Sequence, residues 1–517
     1  MIARRNSPRS TMLLAAIVVM ATGCFDAKLR IPSAVPSAVL HAGRADLAGL
    51  VVRELEAGRL REAFYVLEAH KTRGFATPRL AARDPALATR LAAAHRDLRP
   101  LFAAAFRTEP QGEHVASRGL HVVASASAPA ITEVQDASDR AFWDHLQITE
   151  ARFEAGLPYA HILRGSFAPT TAEEAALMFD RRELFVSYLI RGDRVYAFVL
   201  GATGKLAVVT LPAPVSALQQ ATRALRAELE QPPATGRELA WQQPASVLYD
   251  QLLGPIAQRF DLTGVDALYV SPDGFLANVP FAALIERGRP LVERLRVTYL
   301  PSASVYRHLL QHEVLDQSPR FLAIGNPAFS VDVPALPFAG REAETLSFVF
   351  DDSSLLVGEA ATEGRIARAL ADHNILHFAT HGVLLGREAP GASSLMVAAD
   401  DRHDGFLSAA EIAGLDLSHS YLAVLSACET AVTSDGGATD LASLTGAFMT
   451  AGVPGVIGSL WKVADTSTTR LMLDFYREFL VSGAGEALRR AQLSLGSRAE
   501  YRHPYYWAPF LLYGWDK

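Results

Sequence analysis

Cysteine is almost absent from this sequence: 517 residues contain two, Cys24 and Cys428. At most one disulfide can form, which excludes a disulfide-stapled scaffold. Neither thiol belongs to a CxxC, so the spacing of a structural zinc site is missing as well. Charge is modest, with 20% charged residues and a net charge of −6, and this balance leaves no basic footprint for nucleic acid. No apolar run reaches the ~20 residues that a membrane-spanning helix needs. What remains is 50% hydrophobic and long enough for two to four domains rather than one core.

One apolar run, "MLLAAIVVMATG", follows Arg4, Arg5 and Arg9 and leads into Cys24. A basic stretch, about a dozen apolar residues and then small residues is the pattern of a signal peptide. "ATGC" resembles the bacterial lipobox, and the resemblance implies that Cys24 is diacylated and becomes the first mature residue. Phe25, rather than Asp, after it favours outer-membrane sorting by analogy with other lipoproteins. The expected address is therefore the periplasmic face of the cell envelope, with the membrane reached through lipid on Cys24. A secretory signal cut near Ala-Thr-Gly, leaving an unmodified thiol, is the alternative.

Residues 1–23 thus read as the signal, and 24–45, with "IPSAVPSAV", as a tether. Residues 46–165 read as a helical region. Within it, "LAGLVVRELEAGRLREAFYVLEAHKTRGF" places Leu and Ala at helical spacing on both sides of Gly58, like one tetratricopeptide unit without a clear second copy. Residues 166–317 turn to β-rich runs. "LFVSYLIRGDRVYAFVLGATGKLAVVTLP" is a meander punctuated at Gly192 and at Gly201 to Gly204, and helices and the buried strand of "ALYVSPDGFLANVPFAAL" follow. A further block, 318–517, opens at "RFLAIGNP" and alternates short apolar strands with amphipathic helices. Such alternation marks an α/β protein. Two tandem α/β blocks, with sheet flanked by helices, are expected after the helical region.

A thiol attacks as thiolate, and at a reference pKa near 8.5 only a few per cent is ionised at pH 7. Cys428, at the end of "YLAVLSAC", therefore needs a neighbouring base. "ILHFATHG" supplies the candidate: Ile375 to Ala379 read as a buried strand that runs out at Thr380, His381 and Gly382. Functional groups of a parallel sheet gather beyond the carboxyl ends of its strands, so one edge would present His381 and Cys428 together. They are 47 positions apart in the sequence, near the His-to-Cys spacing of caspases. His377, deeper in the apolar run, reads as a core or supporting histidine. His373, His377 and His381 recur every four residues, but the β-rich context argues against a metal-binding helix. Gly382 has no Cβ, so its N–H can serve with that of Cys428 as an oxyanion donor. No metal or cofactor is required.

"HFATHG", "LSACET", "GSLWKVAD" and "HPYYWAPFLLYG", with "LYVSPDGFLANVPFAAL" and "YLPSASV" upstream, resemble the CHAT-domain family of bacterial caspase-like proteins, relatives of separases. The resemblance covers roughly residues 160–517. It implies a caspase-like α/β fold whose first half is degenerate, and cysteine endopeptidase chemistry with His381 as dyad histidine and Cys428 as nucleophile. It also implies a protein or peptide substrate. In separase-like relatives an acidic residue in the stretch matching "SLWKVADTSTT" binds a basic P1 side chain, which points to Asp465. The same residue equally suits the N-cap of a helix starting at Thr466. Trp461 is a candidate pocket wall or a core residue. Asp435 and Asp440, in the glycine-rich loop 433–444, and the loop 385–394 are candidate rims. Two other readings stand beside the peptidase. One is a catalytically silent CHAT-fold scaffold or protein-binding module, and the other a sensor in which Cys428 is a buried structural thiol. An activating protein partner is a further expectation.

Overall fold

Runs rich in β-branched and aromatic residues form the strands, because they fit a pleated, buried surface. The computed structural model describes residues 47–81, 169–201, 203–310, 318–330, 333–383, 393–427, 444–461, 463 and 465–516. The expectations for Cys24, the tether, the helical stretch beyond 81, Cys428, Asp435, Asp440 and loop residues 385–392 fall outside the described residues. The first block supplies β1 (Glu183–Arg191), β2 (Arg194–Gly201), β3 (Leu206–Thr210), β4 (Ala267–Ser271), the small hairpin β5 (Ile285–Glu286) and β6 (Arg289–Pro290), and β7 (Arg296–Tyr299). The second supplies β8 (Phe321–Pro327), β9 (Ser353–Gly358), β10 (Ile375–Ala379), β11 (Gly382–Val383), β12 (Ser394–Met396), β13 (Phe406–Ser408), β14 (Leu422–Leu425), β15 (Gly455–Ser459) and β16 (Phe510–Gly514).

The α/β class with a large sheet flanked by helices is the one expected. Among the described residues, however, both blocks share one eleven-stranded sheet, in the order β3-β2-β1-β4-β7-β16-β15-β14-β10-β8-β9. Without β16 the sheet would fall into two pieces that end in unpaired backbone groups at β7 and at β15. β16 removes both edges, pairing β7 on one side and, antiparallel, β15 on the other. From β15 to β9 every pairing is parallel. β1 to β3 form the expected antiparallel meander, and Gly192 has a φ of 58°, which the first position of such a tight hairpin turn demands. β11, β12 and β13 form a separate small antiparallel sheet.

The helices used below are α1 (Leu47–Glu56), α2 (Leu60–Ala81), α3 (Ala303–Leu310), α4 (Pro337–Ser347), α5 (Leu444–Ala451) and α6 (Asp465–Gly496), the last interrupted at Gly483. α1 and α2 reverse at Gly58, whose φ of 74° ends the first helix. α2 then docks with buried polar side chains. Lys71 Nζ donates to the carbonyl and hydroxyl of Ser271 (2.7 and 2.8 Å) and to the carbonyl of Pro272 (3.0 Å), at the end of β4. Glu68 Oε2 accepts from the N–H and hydroxyl of Ser304 at the start of α3 (2.7 and 2.8 Å). Burial lowers the Lys71 amine to about 8, with Asp273 and Glu68 opposing the shift. α2 also touches α5 and the helix Ala409–Gly414 of the second block. A second polar joint forms at Asp516, which accepts from the Tyr269 hydroxyl (2.8 Å) and from Arg296 Nε (3.2 Å).

Candidate active site

All five residues of β10, "ILHFA", are buried, so the strand is covered on both faces. His377 sits in the middle of it, wholly enclosed. Its Nδ1 meets the Tyr476 hydroxyl of α6 and its Nε2 meets Glu342 Oε1 of α4, both at 3.0 Å. With both ring nitrogens engaged, His377 ties two helices to the strand. It is a core histidine, two residues short of the strand end.

His381 lies just past that end and is 8% exposed. Its Nε2 donates to the Pro334 carbonyl at 2.9 Å, and its ring packs at a tilt on Phe329, with centroids 5.0 Å apart. A carbonyl oxygen only accepts, so the ring proton resides on Nε2 and the basic lone pair belongs to Nδ1. The backbone here is pinned: the His381 carbonyl accepts from Met396 N–H (2.9 Å), and the Thr380 hydroxyl donates to the Met396 carbonyl. Gly382 opens β11 opposite Leu395, so the glycine expected as an oxyanion donor directly follows His381 on a fixed strand.

β14 lies beside β10, with Phe378 opposite Leu425. Beyond β14, the Ala427 carbonyl accepts from the Ser459 hydroxyl at the end of β15 (2.7 Å). Ala427 immediately precedes Cys428, so Ser459 fixes the backbone leading to the candidate nucleophile. Ser459 and Pro334 were not singled out from the sequence. A serine closing a buried apolar strand must find a hydrogen-bond partner, and that was the available signal. A proline carbonyl leaves no side-chain signature.

Trp461 is 2% exposed, and its Nε1 donates to the Tyr505 carbonyl (3.1 Å). The Arg226 guanidinium stands 5.7 Å from the ring centroid and donates to the carbonyls of Asn278 (3.3 Å) and Leu460 (3.1 Å). Trp461 is thus packed where the two blocks meet. α6 begins at Asp465 itself, one residue before the start expected from the sequence. Near the β12–β13 hairpin, Glu363 Oε2 accepts from Gly405 N–H (3.1 Å). Burial, reinforced by Glu411 and Asp404, raises its carboxyl to about 7. Among the described residues, no group of three or more His, Cys, Asp or Glu could hold a metal ion, and no helix is long and apolar enough to cross a membrane.

Tetratricopeptide repeat protein 28 of Homo sapiens is 28% identical over 329 residues, and its Mus musculus counterpart 28% over 333. Each match covers 53% of this chain and only 13% of the relative's length. Among solved structures, the Saccharomyces cerevisiae separase–securin complex aligns with a TM-score of 0.45 and 9% identity, covering 74% of this chain and 35% of that one. The complex of Porphyromonas gingivalis RgpB pro- and mature domains aligns with a TM-score of 0.35 and 11% identity, covering 53% and 68%. Residues 242–515, just over half the chain, match the family model of the CHAT domain. The sheet that holds His381 at its edge is therefore built largely from this matched segment, and the chain belongs to the CHAT domain family.

Proposed function

We propose that the protein is a cysteine endopeptidase that hydrolyses peptide bonds with a His381–Cys428 dyad, lipid-anchored to the cell envelope through Cys24. The observation that carries the reading is the held imidazole of His381, whose Nε2 donates to the Pro334 carbonyl. In sequence, His381 and Cys428 each follow the paired residues Phe378 and Leu425 by three positions. His381 Nδ1 takes the thiol proton, and the Cys428 thiolate adds to the substrate carbonyl carbon. The N–H groups of Gly382 and Cys428 receive the developing oxyanion. The imidazolium returns its proton to the leaving amine, and the resulting thioester is hydrolysed by water that His381 deprotonates. Asp465 favours a basic P1 side chain through a charge-assisted contact, with Asp435 bounding the pocket. An activating protein partner completes the reading.

The test is alkylation of the full chain by an iodoacetamide probe between pH 5 and 9, comparing wild type, Cys428→Ala and His381→Ala. Labelling at Cys428 that is half-maximal well below pH 8, and that moves upward without His381, is expected. Cleavage of peptides with Arg or Lys at P1, lowered about 10²- to 10⁴-fold in His381→Ala, then follows. Labelling with an ordinary thiol midpoint in both proteins would remove the dyad and leave the silent CHAT-fold scaffold.

A further inference from the structure

The base depends on a backbone carbonyl, so something must hold that carbonyl in place. Pro334 lies in the irregular stretch before α4, outside any ladder of backbone hydrogen bonds. Two residues later, Leu336 is the N-cap of α4 with no side-chain capping bond of its own. Its N–H donates instead to Asn326 Oδ1 at 2.6 Å. Pro334 and Pro337 fix φ on either side of Ala335 and Leu336, so the short connection between the two anchor points is stiff.

Asn326 is placed for this by the end of β8. It has a φ of 43°, in the left-handed region, where asparagine is among the few side chains tolerated. The β8–β9 register shifts between Gly325 and Pro327, which leaves Asn326 without a partner residue on β9. α4 sits directly on this turn. A Cβ at Gly325 would lie 2.6 Å from the Ala339 carbonyl oxygen, and one at Gly340 would lie 3.3 Å from Asn326 Cβ. The carboxamide and the connection it holds are therefore pressed together by close backbone packing.

We infer that Asn326 is a positioning residue for His381. Its carboxamide anchors Leu336 and, through the 334–336 connection, the Pro334 carbonyl that keeps the imidazole proton on Nε2. The catalytic part of this inference rests on the His381–Cys428 reading, whereas the tautomer does not.

Two variants separate backbone from carboxamide. Asn326→Gly keeps access to positive φ and removes the acceptor, and Asn326→Asp keeps both. In ¹⁵N-histidine NMR of the full chain, the His381 ring is expected as the Nε2–H tautomer in wild type and Asn326→Asp. In Asn326→Gly a Nδ1–H population appears, the alkylation midpoint of Cys428 rises towards that of His381→Ala, and labelling at pH 7 slows about 10- to 100-fold. If Asn326→Gly does not fold, Asn326→Ser, whose hydroxyl falls short of the Leu336 N–H, gives the same readout. An unchanged tautomer and an unchanged midpoint in a folded variant would overturn the inference. Alkylation that ignores His381 even in wild type would sink the peptidase reading, while the tautomer would still decide the role of Asn326.

Discussion

The end of β4 and the end of β10 use the same kind of contact for opposite purposes. After β4, the carbonyls of Ser271 and Pro272 accept from Lys71, an amine brought in by α2 from outside the sheet and wholly buried. After β10, the donor is His381, on the strand's own continuation, and the acceptor is the Pro334 carbonyl brought in from the segment ahead of α4. In the first block the strand end is sealed by a cation that no substrate can displace without leaving a buried charge unpaired. In the second the imidazole lies just past the end of β10, the strand paired with β14. A strand end becomes a stopper or a candidate active site according to whether the mobile proton belongs to the packing helix or to the strand. This fits the absence of cysteine from residues 166–317.

The sharpest way to break the comparison is to remove the inner histidine of the second block. His377→Leu strands the Glu342 carboxyl in the core and is expected to cost about 3–5 kcal/mol in denaturant unfolding. Lys71→Met, which leaves the Ser271 and Pro272 carbonyls without their donor, is expected to cost about 1–3 kcal/mol and to speed proteolysis within residues 47–81. The smallest effect carries the clearest sign. Glu363, raised to about 7, keeps its proton in the folded protein up to about that pH, so its contribution to stability falls as pH rises from about 4.5 through 7. Lys71, lowered to about 8, contributes oppositely, its penalty lifting as pH rises from about 8 to 10.5. Glu363→Gln should therefore stabilise by about 1–2 kcal/mol at pH 8 and by nothing at pH 4. Thermal melts at the two pH values check this. Equal effects at both would mean that folding does not raise the Glu363 carboxyl.

The strands, the α/β class and the separate places of His377 and His381 were legible because apolar runs and their ends are local properties of the sequence. The single sheet was not. Nothing within "YYWAPFLLYG" shows that its strand belongs between β7 and β15, since strand order is decided by pairing across hundreds of residues. Lys71 was not singled out in the sequence, because only the Ser271 and Pro272 carbonyls, two hundred residues away, make its burial tolerable. The Asn326–Leu336–Pro334 support was invisible for a related reason. "GNP" announces a turn, but its acceptor is met by a backbone N–H ten residues further on.

The position of β16 also has a consequence in time. A ribosome delivers the other ten strands of the described sheet before residues 510–514, so β7 and β15 emerge first and must wait with bare edges. Until the closing segment arrives, the nascent chain carries two open templates for foreign strands, the kind of surface that chaperones cover. Asp516, bonded to Tyr269 of β4 and to Arg296 of β7, follows at once and fastens the inserted strand to the first block. The strand thus arrives as a keystone between two arms that were already built.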